Sequence, residues 1–343
     1  MTEHSFLSVL KGKTPSRNPA WIMRQAGRYL PEYRAVRKNF PKFTDFLANP
    51  DAACEVTIQP VDILDVDAAI LFSDILVVLP PLGLTLEYRE NEGPRLSNLL
   101  DNADRIRQLP RVDPTEGTGY VLEAIRRVRK ALDNRVPLIG FAAAPWTLAC
   151  YAVDGKGGKE FPRTRALMHK EPALFDLLLS KLADLTIDYL CAQAEAGAQA
   201  LQLFESWAIL FDEVTYTSRI LPHTARVVAE VKAKTGVPVI LYGNGASLLM
   251  EPFQTTNADC MGIDWRIPMA KARALVGNRP LQGNLDPAVL LGSPEAVIEG
   301  VRAIHAANGG APWIANLGHG ITPEVPVENA KAFVQAVHAL PVR

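Results

Sequence analysis

Short apolar runs recur along the chain, each ending in polar or small residues. They span 68–72, 136–144, 200–204, 237–242, 260–263, 280–281 and 313–315. Helical stretches separate many of them. Residues 172–196 are the clearest, with Leu174, Leu178, Leu182, Leu185 and Tyr189 at three- and four-residue spacing and Gly197 suited to the stop. Segments 120–132, 223–235, 268–276 and 294–307 read the same way. Strands that are apolar throughout bury both faces, so they belong in a parallel sheet covered by helices. Seven or eight such units predict an α/β fold, a single-domain (β/α)8 TIM barrel over residues 1–343. A doubly wound sheet is the alternative. Its usual glycine-rich dinucleotide loop is missing, since Phe72-Ser73-Asp74 follows the first run.

Composition narrows the functional classes. The chain is 48% hydrophobic and 21% charged, apolar enough to bury a full core. Lys plus Arg total 36 against 37 Asp plus Glu, so no global basic field is available for nucleic acid. Cys54, Cys150, Cys191 and Cys260 form no CxxC pair, which predicts free thiols and a cytoplasmic compartment. Residues 1–13 contain no long apolar segment, so no signal peptide is expected. Residues 136–153 carry no charge, but Pro137, Gly140, Pro145 and Thr147 interrupt them. A buried strand turning into a short helix is expected there, with no membrane association.

In a barrel, chemistry sits where strands end. Those ends read Ser73-Asp74, Ala144-Pro145-Trp146, Glu205-Ser206-Trp207, Gly243-Asn244-Gly245, Asp264-Trp265-Arg266, Gly283-Asn284-Leu285-Asp286-Pro287 and Asn316-Leu317-Gly318-His319-Gly320. Asp264 and Asp286 serve equally well as helix caps. Asp74 interrupts a buried run, because Ile75 to Leu79 continue apolar, and a buried carboxylate needs a partner. His319 stands between two glycines at a strand end and suits a ligand contact. His169, His223, His305 and His338 fall in helical stretches and are expected at the surface. No histidine is followed two residues later by Cys or His, and no HExxH occurs, so no metal site is expected.

Charge is concentrated near the start. From residue 11 to 42 stand Lys11, Lys13, Arg17, Arg24, Arg28, Arg34, Arg37, Lys38 and Lys42, with Glu32 the one acid, a net of +8. This basic arm, about residues 11–42, is expected to contribute to the active site and to meet a polyanionic ligand. A solvated basic face or a nucleic-acid contact would use the same charge. Arg24 and Arg28 lie four apart; a helix would put them on one face, while a loop would let Gly27 bring the backbone to a ligand. Guanidinium groups grip carboxylates in bidentate fashion. A basic cluster around one buried Asp, with a Tyr, a Ser and a His, suits a substrate with many carboxylates around a cationic or NH-rich middle.

The segment from Pro19 through Trp21-Ile22-Met23-Arg24-Gln25-Ala26-Gly27-Arg28-Tyr29 to Arg34 resembles the N-terminal signature of the uroporphyrinogen decarboxylase family. Residues 140–151, ending Ala149-Cys150-Tyr151, resemble its second signature. Phe72-Ser73-Asp74-Ile75-Leu76, Gln202-Leu203-Phe204-Glu205-Ser206-Trp207, Gly283-Asn284-Leu285-Asp286-Pro287 and Asn316-Leu317-Gly318-His319-Gly320 match in order and spacing. Ala143 and the Gly243-Asn244-Gly245 loop depart from the commoner pattern. The resemblance implies a homodimeric barrel that removes CO2 from four acetate side chains of uroporphyrinogen III in porphyrin synthesis, without metal or organic cofactor. It implies that Asp74 is catalytic, receiving the pyrrole NH groups and stabilising a cationic pyrrole. It also implies that Arg24 and Arg28 hold carboxylates, with Gln25, Ala26 and Gly27 as the loop between them. Tyr151, Ser206 and His319 become further substrate contacts. A corrinoid-type methyltransferase would share the barrel but need a His-x-Cys zinc site, and a non-catalytic tetrapyrrole binder would keep the arginines without needing Asp74.

Overall fold

A computed structural model describes residues 4–89, 92–158 and 160–342. Residues 1–3 and 343, the outermost positions of the expected domain, lie outside the described residues. The strands are β1 (Ala69–Ile70), β2 (Thr85–Arg89), β3 (Gly93–Ser97), β4 (Leu138–Ala143), β5 (Ala200–Glu205), β6 (Val239–Gly243), β7 (Cys260–Ile263), β8 (Leu281–Gln282) and β9 (Trp313–Ile314). Seven of them form a parallel sheet in the order β1-β4-β5-β6-β7-β8-β9. Each of the seven apolar runs became one of these strands. Residues 136–153 became β4 followed by the helix Pro145–Asp154, and no helix among the described residues is long and apolar enough to cross a membrane.

The sheet is closed by a stave with no strand of its own. Ala20 bridges Ala315 in parallel. Trp21 N donates to Ala315 O (3.2 Å), Ala315 N to Pro19 O (2.8 Å), and Asp67 N to Ala20 O (2.7 Å). Residues 19–21 thus fill the gap between β9 and β1 and make the eighth stave of a (β/α)8 barrel. Asp67 secures this closure. Its carboxylate accepts from Ala20 N (2.7 Å) and Arg17 Nε (2.6 Å), and His338 Nε2 lies 2.7 Å away. One buried side chain therefore ties the closing stave, the approach to β1 and the helix Val327–His338 together.

The barrel interior is packed and internally hydrogen-bonded. Trp21 Nε1 donates to Gln282 Oε1, and Gln282 Nε2 to Gln202 Oε1, each at 2.9 Å. These buried side chains partner one another across the barrel, with Gln202 Nε2 left unpaired. Outside, the helix Pro172–Ala196 buries Leu174, Leu178, Leu182, Leu185 and Tyr189, and Gly197 (φ 121°) ends it. On its buried face Gln193 clamps β4, accepting from Phe141 N (2.9 Å) and donating to Phe141 O (2.8 Å).

Two features depart from the sequence reading. The pair β2 and β3 forms an antiparallel ribbon beyond β1, outside the β/α alternation. It leans on the helix Pro145–Asp154, where Leu96 N donates to Gly155 O (2.7 Å) and Leu100 N to Ala152 O (2.9 Å). Among the helical histidines, only His169 is exposed. His223 is buried with Nε2 3.0 Å from Asp176 Oδ1, His305 is buried with Nε2 3.2 Å from Pro341 O, and His338 reaches Asp67. Their partners lie 36 to 271 residues away, so helical periodicity could not reveal them.

Two substitutions separate closure from core packing. Asp67→Ala strips the closing stave of its anchor and should cost about 2–4 kcal/mol of stability in chemical denaturation, with activity falling alongside. Leu182→Ala, in the fully buried face of the long helix, should cost a similar 2–5 kcal/mol while leaving kcat of the folded fraction unchanged.

Candidate active site

Every sequence-derived site residue lies beyond the C-terminal end of a barrel stave or on the helix that follows one. Arg24 follows the closing stave, Asp74 follows β1, Tyr151 stands on the helix after β4, Ser206 follows β5, and His319 follows β9.

Arg24 owes its position to backbone geometry. It is not helical; φ is +65°, a left-handed conformation uncommon outside glycine. Met23 N donates to Asn316 Oδ1 (3.0 Å), and Ile321 N donates to Met23 O (2.9 Å), which holds the loop against the chain after β9. The aliphatic stem of Arg24 lies on Gly320, where an added Cβ would come within 2.3 Å of Arg24 Cδ. Glycine there leaves room for the arginine to cross the mouth. Gln25 spends its side chain inside the loop: Oε1 accepts from Ile22 N (3.1 Å) and Nε2 donates to Ala68 O (3.1 Å). Gln25 is fully buried, while Ala26 and Gly27 are half-buried. Arg28 is exposed on the rim near Tyr33, and its carbonyl accepts from Arg34 Nη1 (2.6 Å).

The basic arm does not form one patch. Arg17 pairs with Asp67, Arg34 braces the carbonyls of Arg28 and Tyr29, and Arg37 bonds Phe40 O and lies over the Phe43 and Phe46 rings. Arg24 is the arm's cation whose field reaches Asp74, Tyr151, Tyr242 and His319.

Asp74 is set into a turn. Its Oδ1 accepts from Leu76 N at 2.8 Å. The surrounding protein raises its carboxyl pKa above the ordinary value by desolvation; the Leu76 amide, the nearby Tyr88 hydroxyl and Arg24 work in the opposite direction. Tyr120 and Tyr151 face the same carboxyl, and each phenol is pushed up to about 12, mainly by burial and then by the Asp74 charge. Asp74 is thus enclosed by neutral phenols, with one guanidinium at the opening.

The far side of the mouth is assembled from loops. Asp264 is buried, accepts from Gly245 N, and pairs with Arg266 Nη1 (3.2 Å). Arg266 also donates to Asn244 Oδ1 (3.2 Å) and stacks on Trp265 with its Cζ 4.0 Å from the ring centroid. Trp265 meets His319 edge-on at 6.2 Å. Burial first, then Arg24 and Arg266, pull the His319 imidazole down to about 4, so it is neutral at pH 7. Asp286 caps Ala288 N (2.9 Å), as its helix-capping reading foresaw. Asp264, by contrast, holds two loops together.

Ser206 is half-buried beside a carboxyl that the sequence reading did not single out. Thr147 Oγ1 donates to Glu205 Oε1 (2.7 Å) and accepts from Ser206 N (2.9 Å), and Tyr216 Oη donates to Glu205 Oε2 (3.4 Å). Glu205 is fully enclosed, and burial pushes it up to about 7 against these hydrogen bonds. Arg266 and Trp265 stood at a recognised strand end without a role. Tyr88 and Tyr120 had no local signal, since one lies on the β2–β3 ribbon and the other on a helix from the next unit.

Three comparisons with known proteins bear on this mouth. The chain matches the family model of uroporphyrinogen decarboxylase (URO-D) over residues 1–340. It is 44% identical over 340 residues to the uroporphyrinogen decarboxylase of Saccharophagus degradans, covering 98% of this chain and 96% of that one. It is 45% identical over 343 residues to that of Chlorobium phaeovibrioides, covering 97% and 96%. Among solved structures, a methyltransferase from Methanosarcina mazei superposes with a TM-score of 0.84 at 19% identity, over 97% of each chain, which shows the shared barrel.

Glu205 makes stability depend on pH in a testable direction. Its folded pKa of about 7 lies above the usual carboxylate value, so the folded state holds the proton more tightly. The associated stabilisation is complete below the unfolded pKa and is lost as pH rises through about 7. Glu205→Gln should therefore be more stable than the parent at pH 8 by on the order of 2–3 kcal/mol, with the gap closing toward pH 4.5. Denaturant midpoints across that range check it.

Proposed function

The chain belongs to the uroporphyrinogen decarboxylase family of carboxy-lyases, and we propose that its mouth seats the macrocycle of uroporphyrinogen III with the pyrrole NH groups on Asp74. The reaction converts the four acetate side chains to methyl groups, releasing four CO2 and giving coproporphyrinogen III in porphyrin and haem synthesis. The observation that carries the reading is the pairing of charges: one half-buried carboxyl, fixed by Leu76 N, in the field of the Arg24 guanidinium, whose stem lies on Gly320.

Each decarboxylation breaks the bond between the acetate methylene and its carboxylate carbon, and the departing electron pair needs a sink. Protonating the pyrrole ring on carbon provides one. The pair then flows into the ring and cancels the cation. A proton added to the exocyclic carbon completes the methyl group, and loss of the ring proton restores the pyrrole. Asp74 stabilises the cation. At about 4 Å and an effective dielectric near 20, opposite unit charges attract by roughly 4 kcal/mol, and only the part gained in the transition state speeds the step. Pyrrole NH groups donating to Asp74 offset its desolvation and keep it ionised.

Arg24 holds a substrate carboxylate, and Arg28 meets another at the rim, so the basic arm completes the single-domain active site. Holding suits guanidinium better than proton delivery, because its pKa lies far above neutrality. Tyr151, Ser206 and neutral His319 contact the same substrate, with Gln25, Ala26 and Gly27 fixing the loop that carries the arginines. The protein acts as a cytoplasmic homodimer. Four free cysteines agree with a reducing compartment, and exposed Ile209, Val214 and Leu248, on the segments after β5 and β6, offer apolar surface for a second copy.

Chelator-treated protein incubated anaerobically with uroporphyrinogen III should yield coproporphyrinogen III through stepwise loss of four carboxylates, resolved by chromatography after oxidation. Unchanged substrate from folded protein would overturn the cofactor-free reading. Asp74→Asn should lower kcat by about 10²–10³ with a smaller change in KM. Arg24→Ala should damage both, as expected when a holding group also sets orientation. An Asp74→Asn enzyme at full rate would remove the cation argument.

A further inference from the structure

We propose that Tyr88 is a positioning residue for the family reaction, its hydroxyl donating to the Asp74 carboxylate once substrate fills the mouth. The proposal rests on the placement of substrate over Asp74 given above and extends it to a residue outside the β/α units.

Tyr88 lies on β2, whose residues alternate between exposed and half-buried positions. The Tyr88 ring meets Phe43 edge-on at 4.7 Å, which fixes it against the helix Phe43–Leu47. Its hydroxyl is enclosed beside Asp74, close enough to favour the carboxylate's charged form yet short of full hydrogen-bonding geometry. A buried hydroxyl left unpaired costs about 1–3 kcal/mol, so such a group calls for a partner in the working state. The neighbouring acceptor is Asp74, whose charge, after burial, raises the phenol and keeps it a donor.

The groups facing Asp74 leave this role to Tyr88. Leu76 N occupies Oδ1 at 2.8 Å. Arg24 approaches from the closing stave, Tyr120 from the helix Pro114–Leu132, Tyr151 from the helix Pro145–Asp154, and Tyr189 from the helix Pro172–Ala196. Of these phenols, Tyr88 is the one that combines an enclosed, unpaired hydroxyl with a place beside the carboxyl. A small shift of the ribbon or of Asp74 closes the bond. A second donor then fixes the carboxylate's orientation and favours its charged form.

Tyr88→Phe keeps the ring and its Phe43 contact and removes the unpaired hydroxyl, so its substrate-free thermal midpoint should equal or exceed the parent's. We expect kcat to fall about tenfold, KM to change less than twofold, and the acid limb of the kcat profile to move to higher pH. Anaerobic affinity for coproporphyrinogen III supplies a second readout. Tyr88→Phe should weaken it in the parent and leave it unchanged in Asp74→Asn. A raised KM with the acid limb in place would assign the hydroxyl to a substrate carboxylate and overturn the proposal, as would unchanged kinetics. Release of four CO2 by the parent is scored separately, so failure of the family reading is distinguishable from failure at Tyr88.

Discussion

The Asp67 carboxylate closes this barrel. A sheet of seven strands has two edges, and the segment between them is only a bridge long. Backbone hydrogen bonds of so short a stave give little register, so a side chain anchors it: Asp67 takes the amide of Ala20 and holds Arg17 and His338 around itself. The consequence reaches the opposite end of the barrel. Four residues beyond Ala20 the chain emerges at the mouth, and Arg24, in a left-handed turn, brings its charge to bear on Asp74 and His319. Closure and substrate recognition therefore share one segment.

The mouth is electrostatically asymmetric. Asp74 is enclosed by phenols that stay neutral, and Arg24 stands above it. His319 is held neutral by burial and two guanidinium groups, so it can meet a carboxylate as a hydrogen-bonding partner without adding a third cation. Arg266 is fixed by Asp264, Asn244 and Trp265 before any ligand arrives, a preorganised arrangement that lowers the ordering cost of binding. A macrocycle ringed by carboxylates with donors at its centre matches this pattern of one deep acceptor and peripheral cations.

Much of this was legible in the sequence because parallel strands buried on both faces write continuous apolar runs, and the long helix wrote its own period and stop. The eighth stave was not legible as a strand. Residues 19–21 are too short to show a period, and their anchor lies 47 residues away from Ala20. The β2–β3 ribbon was hidden because half-exposed strands inserted between barrel units break the alternation that reveals the rest. Asp74 stood out by interrupting an apolar run, whereas Tyr88 and Tyr120 reach it from elements with no local mark. Helical period likewise misplaced His223, His305 and His338, whose burial depends on distant acceptors. The signature around Arg24 left helix and loop open; Gln25, satisfying Ile22 N and Ala68 O with its own amide, decides for the loop.

The most direct test is a crystal structure of the protein with coproporphyrinogen III, grown and kept anaerobic. The pyrrole nitrogens should converge on Asp74, with a propionate on Arg24 and the 19–21 stave unchanged. A macrocycle seated away from Asp74, or one held with Arg24 turned out of the mouth, would contradict the link between barrel closure and catalysis.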